Sequence, residues 1–80
     1  MAKIIFPDSF VAITGGEREF DLDVSDYRGL VIDLKKRWPE LSELLEKTAV
    51  AIDGQIYQDA FLETIHANSE VFFMARIEGG

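Results

Sequence analysis

The sequence contains no cysteine. A disulfide framework, a thiolate zinc site and a nucleophilic or redox thiol are all excluded with it. Histidine occurs once, as His66. With no second imidazole or thiol there is no metal-ligand constellation, and no bound metal or cofactor is expected; His66 reads as a loop residue. Basic residues are scarce, eight lysines and arginines against fifteen aspartates and glutamates, for a formal charge of −7. Such a surface repels phosphate backbones and anionic lipid, so neither nucleic acid nor membrane is an expected partner. Long apolar runs are also missing. Nothing approaches the roughly 20 residues needed to cross a bilayer, and the opening MAKIIFPDSF lacks the apolar core and cleavage site of a secretory signal. The expected compartment is the cytoplasm.

What is present suits one small domain. The chain has 80 residues, 48% of them hydrophobic, with charges interspersed rather than blocked. That is enough to close a single core without staples. Lys3-Ile4-Ile5-Phe6, ended by Pro7, reads as a buried strand. Pro7 to Gly16 carries Pro7, Asp8, Ser9, Thr14, Gly15 and Gly16, a composition expected of a turn region. Gly15-Gly16 lacks the rest of any glycine-rich phosphate-binding fingerprint and reads as a hairpin turn. EREFDLDV then alternates, with Phe20, Leu22 and Val24 on one face and Glu19, Asp21 and Asp23 on the other. A half-buried strand has that pattern, and its carboxylates form the solvent side.

The period changes at Tyr27. Tyr27, Leu30, Val31, Leu34 and Trp38 follow helical spacing, Ser25 or Asp26 can cap the first turn, and Pro39 stops the pattern. A second helical piece is expected over Glu40 to Lys47. Ala49 to Ile52, the turn signal Asp53-Gly54 and Gln55 to Tyr57 make a hairpin. A covering loop leads to a last strand from Glu70 to Ile77. The order strand, strand, helix, strand, strand, strand predicts an α+β fold. Specifically, it predicts a β-grasp, the architecture of ubiquitin. Its mixed sheet has about five strands, with one main crossing helix, a short second helix, and the last strand central beside the first. The domain is expected over residues 1–76 and a flexible di-glycine tail over 77–80.

The opening IIF strand, the TGG turn, RWPELSELL, AVAIDGQIY, SEVFF and the closing GG occur in an order that resembles the MoaD/ThiS family of ubiquitin-like sulfur carriers. The resemblance covers essentially the whole chain. Molybdopterin synthase small subunits place a proline pair before the glycines, as in PPVSGG, where this chain has Met74-Ala75-Arg76-Ile77-Glu78. The TGG turn and PEL segment are closer to carriers of the CysO type. The resemblance implies a carrier protein rather than an enzyme, with the Gly80 carboxylate adenylated by an E1-like adenylyltransferase and converted to a thiocarboxylate. ATP and magnesium would be used by that partner. The sulfur would pass to a synthase large subunit or a sulfhydrylase-type enzyme, for molybdopterin-like cofactor or cysteine and metabolite biosynthesis.

Ile77, Glu78 and Gly79 would thread the terminus into the partner's channel, where residues without a Cβ fit most easily. Four extended residues reach roughly 13 Å at about 3.3 Å each. Alignment with the family's sheet face nominates Ile56, Met74, Phe6 and Phe72 as the apolar docking residues, with Arg76 able to meet an acidic partner group. Two rivals remain open. One is a ubiquitin-like modifier conjugated to lysines, the other a plain β-grasp interaction domain.

Overall fold

The computed structural model describes residues 1–75. Five strands and three helices follow in the order β1 (Ala2–Ile5), α1 (Asp8–Thr14), β2 (Glu19–Leu22), α2 (Tyr27–Arg37), α3 (Leu41–Glu46), β3 (Thr48–Ile52), β4 (Gln55–Tyr57) and β5 (Glu70–Ala75). One sheet contains all five strands in the order β2-β1-β5-β3-β4. The central pair β1 and β5 is parallel and every other pairing is antiparallel. This is the β-grasp arrangement, with β5 central as its apolar sequence demands. The described residues extend only 17 Å in their thinnest direction. Sheet and helix layers pack about 10 Å apart, so that thickness holds one helix layer on one face of the sheet.

α2 begins where the Gly29 amide donates to Asp26 Oδ1 at 2.7 Å, satisfying an orphan donor of the first turn. It ends at Trp38, whose φ of −136° and ψ of 82° lie outside the helical region, which a following proline disfavours. Leu30 and Leu34 are fully buried beneath it. Phe6 holds the centre of an aromatic cluster, with Phe10, Phe20, Trp38 and Phe73 at ring-centroid distances of 5.3, 5.2, 5.6 and 6.0 Å. The tilted and edge-on geometries suit the ring quadrupoles.

The β3–β4 hairpin closes through Asp53 (φ 51°) and Gly54 (φ 84°), both left-handed as a two-residue type I′ turn requires. Asp53 also ties the hairpin to β5: its carboxylate accepts from Ser69 Oγ at 2.7 Å and from the Glu70 amide at 2.9 Å. These two bonds, the hydroxyl first, hold its carboxyl below the ordinary aspartate range.

One expectation from the sequence fails. The stretch expected as a turn between β1 and β2 contains the helix α1, making three helices rather than two. Its residues suit turns because they are the ends of a short helix. Pro7 stands at the N-cap, and Gly15 closes the C-terminal end at φ 72° with its amide donating to the Val11 carbonyl. Between them Phe10 and Thr14 are buried, one helical turn apart. β1 and β2 still pair directly, from Ala2 opposite Leu22 to Ile5 opposite Glu19.

Candidate docking face

Side chains alternate across a strand, so each strand sends one set toward the helices and one set away. Ile4, Phe6, Leu22, Val50, Ile52, Val71 and Phe73 belong to the core cluster on the helix side. The intervening residues therefore make the outer face. Register aligns four of them in one row: Ile5 opposite Phe72, Phe72 opposite Ala51, and Ala51 opposite Ile56. Met74 and Ala49 pair in the next outward row, toward the end of β5. Ile56 is 53% exposed and Phe72 43%. Met74 and Ile5 are half-buried, and the small Ala49 and Ala51 are covered. Contiguous apolar side chains left in water on a small domain mark a contact surface.

Three of the four apolar residues nominated from the sequence thus meet on one face: Ile56, Met74 and Phe72. Phe6 is placed differently. It is only 4% exposed and lies among aromatic rings on the opposite side of the sheet, so it holds the core and is corrected from a docking residue. The reason is parity: Phe6 is two residues from the buried Ile4, and Ile5 between them takes the outward position. Ile5, Ala49 and Ala51 escape a reading of single residues because only the pairing register brings them beside Phe72. Arg76, Ile77, Glu78, Gly79 and Gly80 lie outside the described residues.

The charges on this face lie beside the apolar row. Two residues back along β5 and β1, Glu70 is paired with Lys3, and Lys3 with Asp21. Lys3 Nζ bonds Glu19 at 2.9 Å. That hydrogen bond, then the charges of Glu19, Glu70 and Asp21, raise the lysine above its ordinary range. Between the Asp53-Gly54 turn and β5 the face opens into a cleft of about 410 Å³, lined by Ala51, Asp53, Gly54, Asn68, Glu70 and Phe72.

A second cleft, of about 300 Å³, lies on the helix side between Val31, Lys35, Leu45, Thr48 and Phe61. Among the described residues no cluster of histidine, aspartate and glutamate is arranged to hold a metal ion. No helix among them is long and apolar enough to cross a membrane.

No protein-family model matches the sequence, and no curated protein sequence matches it. Solved structures do. A chain of the BexX/CysO complex of Amycolatopsis orientalis superimposes with a TM-score of 0.81 at 13% identity, covering 100% of both chains. Small archaeal modifier protein 1 of Methanosarcina acetivorans gives 0.80 at 13% identity, over 99% of this chain and 95% of the other. A putative molybdopterin converting factor subunit 1 from Pyrococcus furiosus gives 0.70 at 21% identity, over 95% and 97%. The chain therefore shares the ubiquitin-like β-grasp fold of these structures.

Proposed function

We propose that the chain is a sulfur carrier whose sheet face docks on partner enzymes while the Gly80 carboxylate enters their active sites. The observation that carries this reading is the position of the apolar row. It lies on the outer face of β5, whose last residue, Ala75, precedes Gly80 by five positions in the sequence. Its support is the fold shared with the CysO-complex chain and the converting-factor subunit.

A carboxylate is a poor acyl donor because it is charged and has no good leaving group. An E1-like adenylyltransferase using ATP and magnesium would overcome this. Attack of the Gly80 carboxylate on the α-phosphorus of ATP expels pyrophosphate and leaves an acyl-adenylate. A persulfide then displaces AMP, forming an acyl disulfide, and a thiol cleaves the S–S bond to release the thiocarboxylate and a disulfide. The catalytic groups belong to the partner; this chain supplies the acceptor carboxylate and the surface that positions it. The thiocarboxylate would deliver sulfide to a synthase-type or sulfhydrylase-type acceptor in the cytoplasm.

Intact-mass measurement after incubation with ATP, a sulfur donor and an E1-like enzyme tests the reading. The expected gain equals one oxygen replaced by sulfur, and it disappears on deletion of Gly80. The likeness to small archaeal modifier protein 1 supports a second reading, conjugation of Gly80 to lysine amines. Isopeptide-linked adducts in place of a free thiocarboxylate would select it.

A further inference from the structure

The apolar row explains why a partner would cover this face, but its borders constrain what that partner must carry. Four carboxylates surround the row: Glu19 beside Ile5, Asp21 and Glu70 in the next row, and Asp53 at the hairpin turn. The only lysine or arginine in these two rows is Lys3, and it is engaged by Glu19. Arg28, Lys35 and Lys36 lie instead on α2, across the sheet from this surface. Among the described residues of these two rows, carboxylates therefore outnumber cations, and the border of the apolar row is locally negative.

Glu70 is the group best placed to receive a partner's charge. It is exposed, and its hydrogen bond to Asp53 uses the backbone amide, leaving the carboxylate outside that bond. Phe72 lies two residues farther along the same face of β5, so the two Cα atoms stand about 7 Å apart at the usual strand rise. Both residues line the open cleft at the Asp53-Gly54 turn.

We propose that the protein docking on this face presents a guanidinium or ammonium group about 7 Å from the apolar side chain that covers Phe72, and that the cation enters the cleft between Glu70 and the Asp53-Gly54 turn. The proposal rests on the sheet face being the docking surface. It adds that recognition is charge-selective, because an apolar partner lacking the cation would bury the Glu70 carboxylate, whose cross-strand neighbour Lys3 is already hydrogen-bonded to Glu19. A planar guanidinium suits the site best, since it can bond a carboxylate through two N–H groups while lying against a ring.

The test is an amide-resolved NMR titration of the 80-residue chain with two probes, N-acetyl-leucyl-arginine amide and its uncharged citrulline counterpart. The expected result is saturable shifts at residues 51–54 and 70–72, with the arginine probe binding about three- to tenfold more tightly at low salt. Raising ionic strength should shrink that margin. Glu70→Gln should remove most of it, whereas Ile56→Ala should weaken both probes alike. Equal affinity of the two probes, a margin unchanged in Glu70→Gln, or no shifts at these amides would overturn the proposal. The thiocarboxylate assay on the parent chain reads conversion of Gly80, whereas the dipeptide titration needs neither the enzyme nor the tail, so loss of charge selectivity and loss of the carrier role give separate results.

Discussion

Phe72 and Phe73 are neighbours in sequence with opposite duties, and truncating each to alanine separates the face from the core. Phe73 has no exposed surface and packs against Phe6, Phe10 and Tyr27 at centroid distances of 6.0, 5.5 and 6.2 Å. Removing a fully buried phenylalanine costs about 3–5 kcal/mol, from lost transfer energy and the cavity left behind. A domain of this length has a net stability of about 4–12 kcal/mol, so Phe73→Ala takes a large share of the total or all of it. Phe72 is 43% exposed, with Ile5 and Ala51 in register beside it. Its truncation forfeits mainly cross-strand contact and strand propensity, about 1 kcal/mol.

Urea unfolding followed by Trp38 fluorescence measures both, because the indole is half-buried against Phe6 and Phe20 and changes environment on unfolding. At a slope of about 1 kcal/mol per molar urea, Phe73→Ala should shift the midpoint by about 3 M or more and Phe72→Ala by about 1 M. If Phe73→Ala prevents folding, the milder Phe73→Leu supplies the core arm with a cost of about 1 kcal/mol or more. Equal costs for the two alanine variants would refute the assignment of opposite faces. So would a Phe72→Ala protein of near-native stability that binds its partner as well as the parent.

Other positions give independent checks. Asp26→Ala should lose about 1 kcal/mol in the same urea assay by removing the α2 cap, and little helix content should return elsewhere. Gly15→Ala should destabilise by about 1–2 kcal/mol although open space surrounds the site, because its φ of 72° is strained for any residue with a Cβ. Asp53→Asn should lower the urea midpoint at pH 7. The folded-state pKa of Asp53 lies below its ordinary 3.8, so its contribution is complete above that value and fades as pH falls through the lower folded value. Parent and Asp53→Asn midpoints should therefore converge in strong acid, and a gap that widened there would refute the latch.

Much of this architecture was legible because period and punctuation agree. EFDL alternates, YRGLVIDLKKR follows one helical face between a capping aspartate and a proline, and Asp53-Gly54 demands a two-residue hairpin. α1 was not legible, because its seven residues span barely two turns and the same Pro, Asp, Ser and Gly that end short helices also make turns. The candidate site was legible in part. Ile56, Met74 and Phe72 lie together where expected, while Phe6 faces the core. That side choice depends on the phase of a four-residue strand and the residue that follows it, where Ile4, Ile5 and Phe6 are all apolar. Ile5 and the acidic border of Glu70 and Asp53 emerge only from pairing register, since a parallel neighbour such as β5 is contributed from far along the chain.

The most direct test of the carrier role is the intact mass of the chain after ATP, a sulfur donor and an E1-like enzyme have acted on it. A gain equal to one sulfur replacing one oxygen, localised to Gly80 and absent from a chain lacking that residue, is the predicted result. An unchanged mass with enzymes that do convert a MoaD/ThiS carrier in the same reaction would contradict it.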